Sequence, residues 1–247
     1  MADTPKTVKK IKAVVGGKTK TIVIVKNWLH QGFTYLDKTE RFYRVLWELI
    51  PFGLSVWAFS LTGIAIWINI LVSFLIAHTL NWAFNDNIWT CIQFTFPWAM
   101  NPGNEKTLAY LSDMQRRFSK LDCVTGVMIY GSLSRGVWHD KSDLDTRIMR
   151  KPGLWNGLKC YLIVHLERLR AFSHKQPLDM YMADSIKFLD LMRDDEFPIF
   201  LKANDQRLLE RYKTIELADF SKVKHLNQLA DDRQEKLRVL YGSKYDT

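Results

Sequence analysis

Three aspartates in the second half of the chain have the spacing of a metal-binding carboxylate cluster. Asp143 and Asp145 lie in the stretch SDLDTR at 142–147, and Asp179 lies in PLDMYM at 177–182. Residues i and i+2 of a strand point to the same face, so Asp143 and Asp145 should project together. Paired carboxylates repel each other unless a cation binds between them, and oxygen ligands suit Mg²⁺. We therefore predict that Asp143 and Asp145 are metal ligands and that Asp179, on a neighbouring strand, completes the set. Two Mg²⁺ ions are expected, with Mn²⁺ as the alternative.

Gly131 and Ser132 have the features of a phosphate-binding turn. They directly follow the apolar run VTGVMIY at 124–130, which predicts a strand running into a helix. Glycine lets a phosphate approach the backbone, and a helix N-terminus offers free N–H groups and a positive dipole end. Gly131 and Ser132 are therefore predicted to bind nucleotide. Three cationic side chains could add charge to the same phosphates, and the sequence does not rank them: Arg135, Lys141 and Arg147.

The order of these motifs resembles the nucleotidyltransferase superfamily of DNA polymerase β type, particularly its minimal members. The shared pattern is an apolar strand, Gly131-Ser132, a ten-residue spacer, an Asp-x-Asp pair at Asp143 and Asp145, and a third acidic residue at Asp179. The resemblance covers about residues 104–185. It implies an Mg²⁺-dependent transfer of a nucleoside monophosphate from an NTP to an acceptor hydroxyl, with release of pyrophosphate. It also implies that Ser132 holds the β- and γ-phosphates and that Asp143, Asp145 and Asp179 are the catalytic residues. Each motif taken alone is also typical of a plain turn, cap or loop end.

The elements around these motifs predict a layered fold. The patterns indicate an α/β (α+β) domain at 100–220, with a small mixed sheet flanked by helices, and a polar C-terminal tail at 221–247 that is helical in part. Leu162, Leu166 and Leu169 fall on the apolar side of the long helix. The predicted strands are 124–130, 144–149 and 177–182, and the predicted helices are 104–120, 154–173, 184–192 and 204–216.

A long apolar block precedes this domain. Residues 49–85 contain no charged side chain, and a bilayer core is spanned by about 20 apolar helical residues. The block is therefore predicted to form a membrane-associated helical hairpin at 45–85. Its helices should lie at 45–61 and 64–84, around Leu61-Thr62-Gly63. Two alternatives stay open: a re-entrant hairpin that enters one leaflet, and a buried helix pair in a soluble domain.

Most of the excess positive charge lies before the apolar block. The net charge is +9, and residues 1–44 hold ten Lys/Arg against three Asp/Glu. This bias predicts a cytoplasmic N-terminus, and a hairpin returns the following domain to the same face of the cell membrane. Within this basic arm, Gly16-Gly17 between two β-branched runs predicts a β-hairpin over 7–26. That ribbon is either purely structural or a basic surface against anionic headgroups.

Several function classes are excluded or disfavoured. The three cysteines (Cys91, Cys123 and Cys160) form no CxxC pair, which excludes a disulfide framework and a zinc ribbon. The apolar run begins too late and is too long for a signal peptide. Nucleic acid is not expected as a partner, because the domain leaves no room for separate finger and thumb domains and the positive charge lies at the membrane end.

The leading hypothesis is a membrane-anchored nucleotidyltransferase. Its partners would be an NTP, the lipid bilayer and an unidentified hydroxyl acceptor, such as a lipid or a lipid-linked glycan precursor. Pairing with a second copy of the chain through the apolar hairpins stays open. The alternatives are an adenylyltransferase that modifies a partner protein or small molecule, and an inactive nucleotide-binding scaffold that tethers a complex to the membrane.

Overall fold

The computed structural model describes residues 18–31, 33, 36–85 and 100–242. The chain forms a mixed α/β structure in which a small four-stranded sheet is flanked by helices. Its strands are β1 (Val124–Tyr130), β2 (Leu144–Arg150), β3 (Leu178–Ala183) and β4 (Ile199–Ala203). Its helices are α1 (Lys18–His30), α2 (Lys38–Ser60), α3 (Ile66–Asn85), α4 (Asn104–Ser119), α5 (Gly131–Ser134), α6 (Leu154–Ser173), α7 (Gln206–Arg211) and α8 (Arg233–Tyr241). Two 3₁₀ helices lie at Ile186–Leu191 and Leu226–Ala230.

The sheet has the order β3-β2-β1-β4 and is mixed in direction. β1 pairs with β2 and with β4 in antiparallel fashion, whereas β2 and β3 are parallel. Parallel neighbours need a long crossover, and α6 supplies it between β2 and β3. The end of β1 and the beginnings of β2, β3 and β4 therefore meet at one edge of the sheet.

The two faces of the sheet carry separate hydrophobic clusters. Along β1, Val127 and Ile129 pack into one cluster, and Met128 and Tyr130 pack into the other. This alternation follows from the two-residue period of a strand. The first cluster contains residues of α4 and α6, such as Leu111, Phe118, Cys160 and Val164. The second contains residues of the C-terminal third, such as Phe188, Leu208, Tyr212 and Leu237.

The three predicted strands are confirmed within one residue at each end, and β4 was not predicted. The helices predicted at 104–120 and 154–173 correspond to α4 and α6. The helix predicted at 204–216 is shorter, ending at Arg211, and the one predicted at 184–192 is a 3₁₀ helix. The C-terminal tail is partly helical, as predicted, and it buries Leu226 and Leu237 in the core.

The prediction of which side of α6 is buried is wrong. Leu162, Leu166 and Leu169 were assigned to the apolar side of the helix, which was expected to be the buried one, yet each is at least half exposed. The buried side of α6 carries Gly157, Cys160, Tyr161, Val164 and Ala171. Both sides of this helix are apolar, so the periodicity alone did not identify the one that faces the sheet.

The second strand of the predicted N-terminal β-hairpin is helical in the structure. Residues 18–26 belong to α1, and residues 7–17 lie outside the described part of the chain. Contacts with α3 account for the helix. Trp28 Nε1 donates to Thr79 Oγ1 at 3.2 Å, Gln31 Nε2 donates to the His78 carbonyl at 2.9 Å, and Trp82 Nε1 donates to Asn27 Oδ1 at 2.6 Å. Residues 27, 28 and 31 can all point towards α3 only if the backbone that carries them is helical.

Helices α2 and α3 form an antiparallel hairpin with a polar seam between them. The buried residues of α3 recur every fourth position: Asn69, Ser73, Ala77, Asn81 and Asn85. Asn69 Nδ2 donates to the Val56 carbonyl at 3.0 Å, and Asn81 Nδ2 donates to Glu48 Oε2 at 2.8 Å. The polar groups face inward and the large apolar side chains face outward.

Among the described residues, one helix has the length and composition to cross a bilayer. It is α3, whose most apolar stretch has a mean hydropathy of 1.5, with 22% of that stretch buried. Helix α2 begins at Lys38 rather than at 45, because Asp37 caps it by accepting a hydrogen bond from the Glu40 N–H at 2.7 Å. Its first two turns therefore carry charged residues.

The first turns of α2 dock onto the sheet domain. Arg150 Nη2 lies 3.1 Å from Asp37 Oδ2, and the Met182 N–H donates to Glu40 Oε2 at 3.3 Å. The Tyr43 hydroxyl donates to the Leu154 carbonyl at 2.6 Å. The hairpin is therefore held directly against β2, β3 and α6.

Candidate active site

The sheet places the predicted site residues at its shared edge. In the strand register, Tyr130 pairs with Asp145, and Asp145 pairs with Asp179. Gly131 and Ser132 follow Tyr130 directly, so they lie beside the same two carboxylates. Neighbouring strands are about 4.8 Å apart, so paired side chains on one face are immediate neighbours. Residues that are far apart in the sequence thus meet because of the strand order.

Arg147 bridges the two aspartates of the sheet. It lies two residues after Asp145 on β2, so both side chains project from the same face. Its Nη2 atom lies 3.4 Å from Asp179 Oδ2 and 3.8 Å from Asp145 Oδ1. The guanidinium also stacks over the Tyr181 ring, 5.0 Å from its centroid. Arg147 is thus the counter-ion of the carboxylates in this structure.

Asp143 lies one residue before the first residue of β2 and still acts on Asp145. Burial, and then the negative charges of Asp143 and Asp179, raise the pKa of Asp145 well above its ordinary range. The positive charge of Arg147 opposes this shift. The ionised form of Asp145 is therefore disfavoured by its burial and by its two carboxylate neighbours, and added positive charge at this place would favour it.

The position of the Asp145 carboxylate requires a glycine at 131, because any side chain there would collide with it. Its φ is +74°, and a Cβ added there would lie 1.9 Å from Asp145 Oδ2. The close approach predicted for a phosphate is thus made, in this structure, by the Asp145 side chain. Because glycine has no side chain, the Asp145 carboxylate can lie directly against the turn.

Ser132 carries an unsatisfied hydroxyl at this turn. Its Oγ atom is buried and has no hydrogen-bond partner within the described ranges. Buried hydroxyls are usually paired, and an unpaired one in a native structure calls for an explanation such as a bound ligand. The helix that begins here, α5, is a single turn of four residues, so its dipole contributes less than the predicted full helix would.

The three cationic candidates differ in their surroundings. Arg135 forms an ion pair with Glu196, and Arg147 is held by the carboxylates. Lys141 is exposed in the turn before Asp143, and its backbone N–H donates to His139 Nδ1 at 3.1 Å. Lys141 is therefore the candidate whose side chain projects from the surface near the site.

Glu196 is a site residue that the sequence did not reveal. The run Asp194-Asp195-Glu196 reads as a solvated turn, yet Glu196 is only 6% exposed and its charge acts on Asp145. The apolar run FPIFL at 197–201 was the available signal, because it predicts a buried strand whose first residues would adjoin the sheet edge.

The donor chemistry of the cluster fits Mg²⁺, although the side chains are not grouped as a finished metal site. Within the described ranges, no set of three or more His, Cys, Asp or Glu side chains is close enough to hold a metal ion. Arg147 accounts for this spacing, because its guanidinium lies between the oxygens of Asp145 and Asp179.

A cavity of about 610 Å³ lies on the β4 side of the edge. Its walls include Ser134, Phe197 and the segment 216–236. A pocket of this size accommodates a small ligand. Asp143, Asp145 and Asp179 are not among its lining residues, so it is separate from the carboxylate cluster.

Comparison of the chain with protein-family models, with curated proteins and with solved structures finds no match.

Proposed function

We propose that this protein is a membrane-anchored, Mg²⁺-dependent nucleotidyltransferase. It would transfer a nucleoside monophosphate from an NTP to an acceptor hydroxyl and release pyrophosphate. The observation that carries the proposal is the convergence of Asp143, Asp145 and Asp179 with Gly131-Ser132 at one sheet edge. The order of these residues along the chain, with its resemblance to the polymerase β-type superfamily, supports the same chemistry.

The three aspartates would hold the metal. Asp143 and Asp145 would be shared ligands, and Asp179 would lie towards the acceptor. Bound Mg²⁺ neutralises charge on the attacking and leaving oxygens of an in-line displacement, and Mn²⁺ would substitute for it. Asp179, once released from Arg147, would orient the acceptor hydroxyl and accept its proton.

The NTP phosphates would occupy the turn after β1. The orphaned Ser132 hydroxyl supports this placement, since a phosphate oxygen would satisfy it. Lys141 would supply positive charge from the loop before Asp143. Arg147 would turn from the carboxylates to the phosphates, whereas Arg135 stays with Glu196 and positions the turn.

The apolar hairpin supports a membrane location. Its outer side chains are widely exposed; Leu54, Trp57 and Trp67 each expose more than 60% of their surface. A core helix pair of a soluble domain would bury these residues. The basic arm before the hairpin supports the cytoplasmic face, where Mg²⁺ and NTP are available. An enzyme held there is suited to an acceptor in the bilayer, such as a lipid or a lipid-linked glycan precursor.

One observation favours a second candidate, an inactive nucleotide-binding scaffold. Arg147 neutralises Asp145 and Asp179 in the way that a metal ion would. If that arrangement persists with nucleotide bound, the carboxylates serve only to hold the sheet edge together. Adenylylation of a partner protein differs from the main proposal only in the acceptor, so the same assay distinguishes it.

The test is a transfer assay on the purified full chain in detergent. Each of the four α-³²P-labelled NTPs is offered with Mg²⁺ and a membrane lipid extract. Asp145→Asn is the loss variant. Asp140→Asn is its matched control, because Asp140 is an exposed carboxylate five residues earlier. Label in a lipid-soluble product, absent for Asp145→Asn and present for Asp140→Asn, is the expected result. Label in protein indicates the adenylylating enzyme, and nucleotide binding without transfer favours the scaffold.

A further inference from the structure

Helix α6 presents an apolar face that nothing in the described part of the chain covers. Trp155, Leu162, Leu166 and Leu169 are each at least half exposed. Leu162, Leu166 and Leu169 recur at four- and three-residue spacing, and Trp155 lies two turns before Leu162, so the four form one stripe along the helix. Scattered apolar side chains are normal on a surface, but a contiguous apolar stripe indicates an interaction site.

This stripe continues the outer surface of the apolar hairpin. The hairpin contacts α6 through Tyr161, His165 and Arg168. Asn85 Oδ1 accepts hydrogen bonds from the Tyr161 hydroxyl and from Arg168 Nη1, both at 3.3 Å, and the Trp47 ring lies 5.2 Å from the His165 ring. Each residue of an α-helix is turned by about 100° from the one before. The positions that follow these contact residues, 162, 166 and 169, therefore form the next strip around the helix.

Basic side chains lie along the margin of the stripe that is farther from the hairpin. Lys159 lies on the exposed side of α6. It lines a cavity of about 420 Å³ together with Lys120 and Lys151. Leu162 and Ile163 form the apolar side of the same cavity, and among the described residues Asp122 is the one acidic residue in its lining. Three ammonium groups beside an apolar wall match the headgroup phosphate and the upper acyl chain of an anionic phospholipid.

We propose that the exposed face of α6 lies in the bilayer interface and that the Lys120–Lys151–Lys159 cavity binds the phosphate of an anionic lipid headgroup. The proposal rests on the proposed membrane anchor. The anchor and α6 together would lay the sheet domain against the membrane at two places. The catalytic edge would then be held at a constant orientation to the bilayer.

The same contact limits how deeply the hairpin inserts. Trp47 packs against α6, so only residues 48–60 of α2 extend beyond it. At about 1.5 Å per residue they reach roughly 20 Å, whereas the hydrocarbon core is about 30 Å thick. With α6 at the interface, the hairpin therefore enters the bilayer without crossing it.

Depth-dependent quenching tests the surface on the full chain in lipid vesicles. A fluorophore is attached at Leu166→Cys in a Cys91→Ser background, since Cys123 and Cys160 are buried. The vesicles contain phosphatidylcholine and phosphatidylglycerol, with a quencher on the acyl chains. Two further labelled variants serve as controls: Leu71→Cys on the outside of α3, and Leu209→Cys, a leucine of α7 that is about half exposed and lies at the other face of the sheet.

Quenching at positions 71 and 166, but not at 209, is the expected result. Quenching at 71 alone overturns the α6 proposal and leaves the membrane anchor standing. Quenching at neither position overturns both. A probe at 166 that is shielded from aqueous iodide, yet not quenched from the lipid, indicates that a protein covers the face and also overturns the proposal.

The headgroup cavity has its own readout. Brominated phosphatidylglycerol should quench the probe on α6 more than brominated phosphatidylcholine does. Lys159→Glu should reduce this preference about five-fold, since each basic residue near an anionic surface contributes about 1 kcal/mol. Lys213→Glu, an exposed lysine outside the cavity, should leave the preference unchanged. Equal quenching of the parent protein by the two lipids would rule out the headgroup site.

Discussion

Two glycines with similar positive φ angles give a matched pair of substitutions. Gly131 has φ +74° and Gly136 has φ +69°. An alanine Cβ at 131 would lie 1.9 Å from Asp145 Oδ2, whereas at 136 its nearest neighbour is Ala230 Cβ at 3.6 Å. Gly131→Ala and Gly136→Ala therefore both place a side chain at a positive φ of similar size, and only the first disturbs the carboxylate cluster.

The expected magnitudes follow from this geometry. A non-glycine residue in the left-handed region costs about 1–2 kcal/mol, so both variants should lose that much stability. Gly131→Ala should lose about 1–3 kcal/mol more from overpacking against Asp145. Ordinary carbon–oxygen contact needs about 3.5 Å, so the Asp145 carboxylate must move by roughly 1.5 Å. A misplacement of about 1 Å can reduce a catalytic rate by about a hundred-fold.

Three measurements on each variant separate these effects. Chemical denaturation gives the free energy of unfolding, and Mn²⁺ binding by electron paramagnetic resonance reports the carboxylate cluster. The label-transfer assay gives the rate. Gly136→Ala should lose stability while keeping Mn²⁺ affinity and activity. Gly131→Ala should lose about a hundred-fold in activity and should bind Mn²⁺ more weakly at temperatures where it is fully folded.

The reasoning fails if a folded Gly131→Ala protein binds Mn²⁺ as tightly as the parent and transfers nucleotide at the same rate. That result would mean that the position of Asp145 beside the turn is irrelevant to the site. Equal losses in both variants would instead assign the effect to backbone strain and remove the special role of the Gly131–Asp145 contact.

Three further predictions concern charged groups. Because the pKa of Asp145 is raised, the folded state holds its proton more tightly, and stability falls as pH rises above the ordinary range of an aspartate. Asp145→Asn should therefore raise the melting temperature of the metal-free protein at pH 7 and flatten this decline, as scanning calorimetry can measure. Glu196→Gln breaks the pair with the three-quarters-buried Arg135 and should cost about 1–3 kcal/mol in chemical denaturation. The exposed neighbour variant Asp195→Asn should stay within about 1 kcal/mol. Burial, and then the charge of Arg168, lower the pKa of His165 to about 4. Stability should fall by roughly 3 kcal/mol between pH 6.5 and 4, and denaturation of His165→Gln across that window should show a smaller loss.

Much of the sheet was predictable because its strands have local signals. β1, β2 and β3 are short apolar or alternating runs bounded by turn residues, and their limits were found within one residue. β4 was missed because it follows the polar run Asp194-Asp195-Glu196, which reads as a loop. The prediction for residues 18–26 failed for a different reason. β-Branched residues favour strands in isolation, but hydrogen bonds to Thr79 and His78 hold α1 as a helix against α3.

The candidate site was predictable as a set of residues but not as an arrangement. The order of Gly131, Asp145 and Asp179 along the chain grouped them as one candidate site, and the strand register places them together at one edge of the sheet. Arg147 could be named as a cation near the site, but whether it faces phosphate or carboxylate depends on where β3 lies. Glu196 became visible only when β4 was placed beside β1, which brings a distant loop to the same edge.

The sequence by itself determined the local strands, the apolar hairpin and the carboxylate, glycine and serine residues on which a metal and phosphate site is proposed. Those features depend on the period of apolar residues and on side-chain type, which act over a few neighbouring positions. Only the tertiary structure decided that Arg147 neutralises Asp145 and Asp179 and that Gly131 accommodates a carboxylate. It also decided which apolar side of α6 stays exposed. These outcomes depend on contacts between segments far apart in the chain, which strand order and helix packing set and local patterns do not encode.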